Sequence, residues 1–534
     1  MSAPTSADTS TTPRVRAAQL TVLALLILFG TALRISNLSG ISLRSPDERY
    51  STWQANVLLD HGTVDGYRIL FDAFDPNTPS PTRIGYHRLL TTVMRITDDR
   101  TVMAGARLSC AASILSLLLV AWLSWRFFGA SAALAATMLF SVFPPELVIA
   151  RRCWQEAVVE LLSLAGIAIV CQVLAGSRSA VRYPLYMPLY TVVGVLAFTV
   201  KETSAVAFVF ASAWLLLALS LRRDWRAVVR FSASACIAAV LSLAWMAQCL
   251  GGFSQLARLG VLSSRLTILS PYGLLYESGP GWHMLLGLWS LSIATTVLAF
   301  AGAAFAIWAA ARRPRATPIE VTTRISLGLA LFCVLFLGMA MVLPEKLNFR
   351  NVAVIFSPLA ILAGAGFSRC LSFVSRVLPA SEAGSIQLVL ATVLTAAAIF
   401  DLHTFRGKFT APDMLDLSIR MVLGAGSPEH QDLPAAATPM VDAGTAKTAA
   451  DWVQVAANDV QAGRNEEAIA AARRALALEP GNAVAWNNIA AANENLQHWD
   501  EAIAAAQQAI KLQPDFQLAK NNLAWSISQK AAGK

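Results

Sequence analysis

An acidic pair follows the first long apolar run of the chain. Asp47 and Glu48 lie in the segment SPDERYSTWQANVLLDHG, shortly after the apolar residues 17–35. A carboxylate at the surface of a membrane can act as a general base on a hydroxyl group, help to hold a metal ion, or simply be solvated. Spacing alone leaves these three interpretations open.

Four cations are predicted at helix ends on the same side of the membrane as the acidic pair. They are Arg151, Lys201, Lys346 and Arg350. Such charges are costly next to hydrocarbon unless an anion compensates them. Each could therefore meet an anionic group of a ligand, extend to the membrane interface, or form a structural ion pair. Candidate partners for such ion pairs are Glu156, Glu202 and Glu345.

Composition and apolar runs indicate a membrane protein. Hydrophobic residues make up 56% of the 534 residues and charged residues only 14%, a balance that one soluble globule cannot accommodate. Apolar runs long enough to cross a bilayer recur between residues 17 and 402, whereas residues 403–534 contain none. The chain is predicted to be all-α, with about eleven transmembrane helices. The predicted spans are 17–35, 104–125, 129–150, 154–175, 184–200, 203–221, 230–250, 284–310, 326–343, 352–369 and 386–402.

Basic residues determine the predicted orientation. Alternate short loops carry arginines, among them Arg222, Arg223 and Arg312, and the positive-inside rule assigns these loops to the cytoplasm. The amino terminus is then cytoplasmic, and both the first long loop and, with an odd number of spans, the tail lie outside. The predicted divisions are a disordered amino terminus (1–16), a transmembrane domain (17–402) with an outer loop (36–103), a linker (403–448) and a soluble tail (449–534).

The tail contains an internal repeat of 34 residues, the tetratricopeptide period. Small alanines let paired helices pack closely, tryptophan fills the space between them, and proline stops the second helix. Two repeats and one further helix, residues 518–529, form a predicted α-solenoid. The matching positions are Trp452 and Trp486, Ala468 and Ala502, Ala475 and Ala509, and Pro480 and Pro514.

Three amides occupy one position in successive units of this repeat. Gln454, Asn488 and Asn522 lie on the first helix of each unit, which lines the concave groove of the solenoid. A ladder of amides there could bind the backbone of a protein partner. A solvated polar face and a groove closed by the chain's own linker are the alternatives.

Three stretches of the membrane region contain charged residues or prolines within or beside apolar runs. They are the acidic segment after the first span, the stretch from ARLSCAASILS to AVVELLSLAG, and the stretch PEKLNFRNVAVIFSPLAILAGAG. Together they resemble the GT-C glycosyltransferases, a group that includes the protein O-mannosyltransferases and the aminoarabinose transferases of lipid A. The resemblance covers residues 17–402. The matching positions are Asp47, Glu48, Tyr50, Arg107, Pro145, Arg151, Glu156, Arg350 and Pro358.

The resemblance implies a reaction and a location. Enzymes of this family move a sugar from a polyprenyl phosphate to an acceptor hydroxyl outside the membrane, with inversion. Asp47 would be the catalytic base, with Glu48 orienting it or pairing with a cation. The four outer cations would neutralise the departing phosphate, and Tyr50, Arg107 and Glu156 would support the site. In a bacterium, the chain would be a multi-pass protein of the inner membrane with its tail in the periplasm.

The resemblance also implies the partners of the chain. No cofactor is implied, because the lipid-linked sugar is a substrate. No metal site is predicted either, since His61, His87 and His283 lack the spacing of metal ligands. The acceptor would be a protein or an envelope glycan or lipid, and a further protein partner would bind the repeats.

Other classes of function fit the chain less well. A nucleic-acid partner is not expected, because the net charge of +9 lies in the membrane region and acids outnumber bases from Ala449 onward. A transporter would carry charges at mid-span and broken helices in two related halves. A ligase for lipid-linked glycans would have its main outer loop late in the chain, and a scaffold would leave the acidic pair without a role. A ligase-like enzyme and a non-enzymatic transporter or scaffold are the alternatives to a glycosyltransferase.

Overall fold

Helices are the main secondary structure in the part of the chain that the computed structural model describes. In that part, no strand forms beyond one isolated bridge between Asn348 and Ser418, so the predicted all-α class is confirmed. Two compact units are present, Met1–Gly426 and Ser427–Lys534. The described residues are 12–39, 41, 46–72, 82–176, 183–256, 277–313, 319–343, 346–410, 417–423, 446–461, 464–514 and 516–531.

The first unit consists of seventeen described α-helices. They are α1 (Pro13–Ile35), α2 (Pro46–His61), α3 (Thr63–Asp72), α4 (Ile84–Thr97), α5 (Val102–Phe128), α6 (Ala130–Val142), α7 (Pro144–Ala150), α8 (Glu156–Ala175), α9 (Tyr183–Val200), α10 (Glu202–Leu221), α11 (Trp225–Leu250), α12 (His283–Leu291), α13 (Ile293–Arg312), α14 (Val321–Met341), α15 (Phe356–Val377), α16 (Ala380–Phe409) and α17 (Ile419–Leu423). A 3₁₀ segment, Phe349–Ile355, leads directly into α15.

Nine of these helices are long and apolar enough to cross a membrane, counted over the described residues. A helix of about 20 residues is about 30 Å long, which matches the hydrocarbon core of a bilayer. The bent pair α6 and α7 and the shorter apolar segment Leu185–Val200 account for the two other predicted spans. The nine are α1, α5, α8, α10, α11, α13, α14, α15 with its preceding 3₁₀ segment, and α16.

The predicted span 129–150 is not one helix. α6 and α7 meet at Phe143 with a bend of 61°. Pro144 and Pro145 begin α7, because proline lacks the N–H that would continue α6 and is favoured in the first turn of a new helix. All seven residues of α7 are buried. The chain therefore turns inside the protein and leads into the non-helical residues 151–155.

The predicted outer loop 36–103 is largely helical. It contains α2, α3 and α4, and residues 73–81 lie outside the described part. α4 buries Ile84, Leu90 and Met94, a spacing that places apolar side chains on one face of a helix. The loop is therefore a helical layer on the bundle rather than an irregular connection.

Three other predicted boundaries need correction. α1 begins at Pro13 rather than at residue 17, with Thr12 as its N-cap, whereas residues 1–11 of the predicted disordered segment lie outside the described part. The predicted span 284–310 is broken at Ser292, whose extended backbone separates α12 from α13. α16 continues to Phe409 and so includes the start of the predicted linker.

A group of charges deep in the bundle joins five helices, and we call Arg34, Glu146 and Glu160 with Ser113 the sealed cluster. Arg34 Nε donates to Ser113 Oγ at 2.5 Å, and its Nη2 lies 3.7 Å from Glu146 Oε1. The Ser113 hydroxyl also donates to Glu146, and Glu160 accepts the Ser357 N–H at 2.9 Å. All four cluster side chains are fully buried. Buried charges persist only when paired and hydrogen-bonded, so this cluster connects α1, α5, α7, α8 and α15.

The second unit is a stack of antiparallel helices. Alanines at the predicted repeat positions are buried, including Ala468, Ala475, Ala502 and Ala509. Their small side chains let the paired helices approach closely, as the repeat pattern predicts. The last helix spans 517–531 rather than 518–529. The helices are α18 (Ala449–Gln461), α19 (Asn465–Leu478), α20 (Ala483–Asn495), α21 (Trp499–Leu512) and α22 (Gln517–Ala531).

Candidate active site

The acidic pair lies in the first turn of α2. Pro46 begins this helix, and Asp47 and Glu48 follow it. Proline is favoured at this position, and acidic side chains in a first turn interact well with the positive end of the helix dipole. The local sequence therefore fixes where the two carboxylates leave the backbone, but they point to different environments.

Glu48 is fully buried and bound to the segment that follows α7. Its Oε2 lies 3.1 Å from Arg152 Nη1, and its Oε1 accepts the backbone N–H of Cys153 at 2.8 Å. Thr52, one turn later, donates its hydroxyl to the Glu48 carbonyl at 2.8 Å. Because Glu48 is held on both oxygens and shielded from solvent, it anchors α2 and pairs with a cation.

Asp47 reaches solvent and pairs with a buried arginine. Its Oδ2 lies 2.8 Å from Arg350 Nη1, and the Asp47 side chain is 42% exposed whereas that of Arg350 is 11% exposed. Arg350 Nε continues to Glu156 Oε1 at 3.4 Å, and the same oxygen accepts from Lys201 Nζ at 2.7 Å. A chain of alternating charges thus runs from solvent into the protein.

These charges form one group that we call the open cluster: Asp47, Glu48, Arg152, Glu156, Lys201 and Arg350. It contains three acidic and three basic side chains, so their formal charges cancel. Burial lowers the pKa of the Lys201 ammonium, and the Glu156 carboxylate opposes that shift. An anion that enters the cluster would compete with these carboxylates for the same cations. One carboxylate would then lose its ion-pair partner.

Trp154 joins the two halves of the open cluster. The guanidinium carbon of Arg350 lies 4.2 Å from the centre of the indole ring, and that of Arg152 lies 5.2 Å from it. Trp154 is only 1% exposed. Cation–π contacts of this kind hold guanidinium groups in place without neutralising them. The tryptophan therefore positions two cations while leaving their charge available.

The other predicted site residues lie in different surroundings. Arg151 donates to the carbonyl of Ser36 at 2.6 Å, so it closes the end of α1 rather than joining the open cluster. Arg107 pairs with Asp99 at 2.6 Å and is 47% exposed, outside the cluster. The remaining two are Lys346, which is partly buried and whose carbonyl accepts from Asn351, and Tyr50, whose ring packs on Trp53.

A histidine beside the site is neutral. His87, on α4, is buried, and its Nδ1 lies 3.4 Å from the Tyr67 hydroxyl. Burial lowers the pKa of His87 to about 3, and the charge of Arg83 acts in the same direction. His87 therefore packs and hydrogen-bonds as an uncharged imidazole. Within the described residues, no group of three His, Cys, Asp or Glu side chains could hold a metal ion.

Neither Trp154 nor Arg152 is among the site residues that the sequence predicts. Both follow the buried α7 in the non-helical run RRCWQ. A signal was present, because two arginines and a tryptophan follow two prolines within an otherwise apolar stretch. Hydropathy alone assigns such residues to the membrane interface. It cannot predict the contacts that this run makes with α2 and with the 3₁₀ segment.

In the second unit, two of the three predicted groove amides bind the array itself. Asn488 is buried and donates to the Val453 carbonyl at 3.2 Å. Asn522 donates to the side-chain oxygen of Asn487 at 3.0 Å. Gln454 is partly buried. These amides connect successive repeats, which favours a structural contribution at two of the three positions.

Comparison with known proteins gives one family match and several structural likenesses. Residues 483–516 match the tetratricopeptide repeat family, and no curated protein matches the sequence. The fold is similar to ArnT from Cupriavidus metallidurans in the apo state, at 14% identity and a TM-score of 0.48, over 96% of this chain and 78% of that one. The same protein bound to undecaprenyl phosphate matches at 15% identity and 0.45, over 78% of each chain.

A third likeness is to an archaeal protein. The oligosaccharyltransferase AglB from Archaeoglobus fulgidus, in complex with an inhibitory peptide and a dolichol-phosphate, matches at 12% identity and a TM-score of 0.47, over 75% of this chain. This chain spans 56% of the length of AglB. At these scores the likenesses support no statement about function, and the family match concerns the tetratricopeptide repeat at residues 483–516 alone.

Proposed function

We propose that the chain is a membrane glycosyltransferase that moves a sugar from a polyprenyl phosphate to an acceptor hydroxyl, with inversion, on the outer face of the membrane. The observation that carries the proposal is the contact between Asp47 and Arg350, a solvent-reaching carboxylate beside a buried cation. The reaction needs a base for the acceptor proton and positive charge for the departing phosphate. The two side chains supply both at one place.

The chemistry follows as one direct displacement. The acceptor hydroxyl gives its proton to the Asp47 carboxylate as its oxygen forms a bond to the anomeric carbon of the sugar. The bond from that carbon to the phosphate oxygen breaks on the opposite face, and the lipid phosphate leaves with the electron pair. Arg350 neutralises the phosphate, while Trp154 and Glu156 hold the guanidinium in position. One displacement inverts the anomeric configuration.

The resting contact between Asp47 and Arg350 also explains how the base becomes available. A donor phosphate is a competing anion for the same guanidinium, and its arrival would release the Asp47 carboxylate from its ion pair. Glu48 cannot take this part because both of its oxygens are bound inside the protein. Donor binding therefore precedes activation of the base in this proposal.

The repeats of the second unit suggest the class of acceptor. Tetratricopeptide repeats bind peptides in most settings, which favours a protein as acceptor or as accessory partner. With the arginine-rich turns in the cytoplasm, the open cluster and the tail lie on the outer face, which is the periplasmic face of a bacterial inner membrane.

Mass spectrometry of envelope proteins and lipids tests the proposal. Cells that contain the full chain, cells that lack it, and cells that carry Asp47→Asn are compared. We expect a glycan that is present only with the wild-type chain, and its attachment point identifies both sugar and acceptor. Identical glycans in all three cells, together with no transfer by the purified chain from a set of polyprenyl-phosphate sugars, would contradict it.

A further inference from the structure

A cleft opens between α13, α14 and α15 at the membrane face opposite to the open cluster. Its volume is about 560 Å³. Gly302, Phe305 and Trp308 line its apolar wall, and Arg369 and Arg376 lie toward the end of α15. We call it the arginine cleft. It is separate from the residues proposed for catalysis.

The shape of the cleft follows from a close crossing of two helices. α13 and α15 touch through their backbones at Gly302 and Gly366, where a Cβ atom would clash with the carbonyl oxygens of Leu362 and Leu298. Beyond this crossing, larger side chains line both helices, and the gap between them is lined by Phe305, Trp308 and Phe373. The glycine contact therefore forms the closed end of a wedge that opens toward the carboxyl ends of α13 and α15.

The depth of the wedge corresponds to one leaflet of a bilayer. From Ala365 to Arg376, α15 rises about 16 Å, roughly half of the hydrocarbon thickness of a membrane. α15 starts at Phe356, just after Arg350, so its far end is about 30 Å from the open cluster. The wedge is thus deep enough for acyl chains of the opposite leaflet and does not reach the proposed active site.

The mouth of the wedge is positively charged. Arg376 is exposed and has no hydrogen bond or ion pair among the described residues. Arg369 is 42% exposed, and its nearest carboxylate, Glu320, lies at 3.9 Å. Arg312 lies over the Trp308 ring at 4.9 Å, beside the same mouth. Arg369 is thus paired with Glu320, whereas Arg376 is not paired among the described residues, and apolar walls that end in these arginines complement an amphipathic anion.

We propose that the arginine cleft binds an anionic glycerophospholipid of the leaflet opposite to the open cluster. An acyl chain lies in the wedge against Gly302 and Phe305, and the headgroup phosphate meets Arg369 and Arg376. A zwitterionic lipid of the same chain length fits the walls equally but lacks the net charge that the mouth complements. The site therefore selects lipids by headgroup.

Native mass spectrometry of the full chain tests this proposal. The purified protein is stripped of lipid and titrated with phosphatidylglycerol or phosphatidylcholine of matched chains. The wild-type chain should bind phosphatidylglycerol preferentially. Arg369→Gln with Arg376→Gln should weaken that binding about 30-fold, because each arginine near an anionic headgroup contributes roughly a fivefold preference. Ala309→Phe, which fills the wedge without changing its charge, should weaken the binding of both lipids.

Matched variants separate this site from general charge effects. Arg226→Gln with Arg230→Gln removes two arginines at the same face on α11, and Ala310→Phe adds a ring to α13 outside the cleft lining. Both should bind phosphatidylglycerol as the wild type does. Equal binding of the two lipids by the wild type, equal losses in the control variants, or preferential displacement of phosphatidylglycerol by a polyprenyl phosphate would each overturn the proposal.

Discussion

The membrane unit buries two groups of charges, and they differ in their access to solvent. In the open cluster, Asp47 exposes 42% of its side chain beside Arg350. In the sealed cluster, Arg34 and Glu146 expose none of theirs. Both groups place an arginine against carboxylates inside a helical bundle. Burial and pairing therefore do not distinguish a catalytic site from a structural one, whereas a carboxylate that can reach a substrate does.

The two clusters also differ in what compensates their charge. Arg34 donates to Ser113 and to the carbonyls of Gly30 and Phe140, so serine and backbone groups complete its hydrogen bonds. Arg350 is held by the face of Trp154 and by two carboxylates, and an incoming anion can replace one of them. We therefore expect loss of chemistry from changes in the open cluster and loss of stability from changes in the sealed one.

The largest expected effect is that of Asp47→Asn on turnover. The amide has the shape of the carboxylate but cannot accept the acceptor proton, so the single-turnover rate should fall by about two to four orders of magnitude. Donor affinity should be at least that of the wild type, because the competitor for Arg350 is weakened. Asp65→Asn, at an exposed ion pair on α3, serves as the matched control and should keep full activity. Wild-type turnover in Asp47→Asn would eliminate it as the base.

Arg34→Ala should act on stability instead. Removing one partner of a buried ion pair leaves an uncompensated carboxylate and costs about 3–5 kcal/mol of unfolding free energy. Denaturant unfolding of the purified chain in detergent measures this loss. The double change Arg34→Met and Glu146→Leu removes the two members of the ion pair together and should recover most of it. If the single change left stability intact while abolishing transfer, the sealed cluster would have to be counted as part of the active site.

Arg350→Ala should weaken donor binding as well as turnover. A hydrogen bond to a charged group contributes about 1.5–3 kcal/mol, so the dissociation constant for a polyprenyl phosphate should rise by about 10- to 100-fold. Equilibrium binding of the lipid to the purified variant measures it. This result would separate Arg350 from Asp47, whose change spares binding. Unchanged affinity would mean that other cations bind the phosphate.

A partly buried carboxylate, Glu494, that forms no ion pair among the described residues extends the comparison to the repeats. Burial raises the pKa of Glu494 to about 7, although the Ser526 hydroxyl donates to it at 2.7 Å. The protonated form is therefore favoured in the folded state. Its contribution to stability is complete below about pH 4.5 and is lost as the pH rises through 7.

The expected size of this pH effect is on the order of 1 kcal/mol, because Glu494 is partly exposed. Urea unfolding of a fragment covering residues 446–534 should show a lower midpoint at pH 7.5 than at pH 5. Glu494→Gln, which cannot ionise, should remove the difference between the two pH values. A midpoint that rises with pH in the unchanged fragment would contradict the assignment.

The smallest effect is expected at the partly exposed pair of Arg107 and Asp99, whose side chains are 47% and 17% exposed. Both lie outside the open cluster, and pairs of this kind contribute at most about 1 kcal/mol. Arg107→Gln should therefore leave turnover within about twofold of the wild type and barely change the unfolding midpoint. A loss of turnover approaching that of Asp47→Asn would show that Arg107 supports the site from a distance.

The sequence predicts the helices well because their causes are local. Apolar runs locate the spans, and the repeat of 34 residues locates the alanines that pack in the second unit. The order of the predicted spans places Asp47, Lys201 and Arg350 on the same side of the membrane. Their contacts through Glu156 depend on how distant helices cross, which no local pattern encodes.

The sealed cluster shows the same limit more strongly. Arg34 ends an apolar run and suggests an interfacial arginine, yet it pairs with Glu146 on a buried helix that only the bend after α6 brings inward. Apolar side chains occur around the whole circumference of α6 and α8, so periodicity cannot indicate which face packs. The contacts of Trp154 cannot be predicted from local sequence either, because one of the two arginines over its ring, Arg350, is distant in the chain.

The separation between Asp47 and Arg350 along the chain has a consequence for biosynthesis. The two residues are 303 positions apart, and a ribosome adding about 5–20 residues per second needs about 15–60 s to travel from one to the other. α2 and α8 are both made before that interval ends, so Asp47 and Glu156 are present in the nascent chain before this arginine. The open cluster is therefore among the last parts of the membrane unit to reach charge balance, and nascent chains shorter than about 350 residues cannot assemble it.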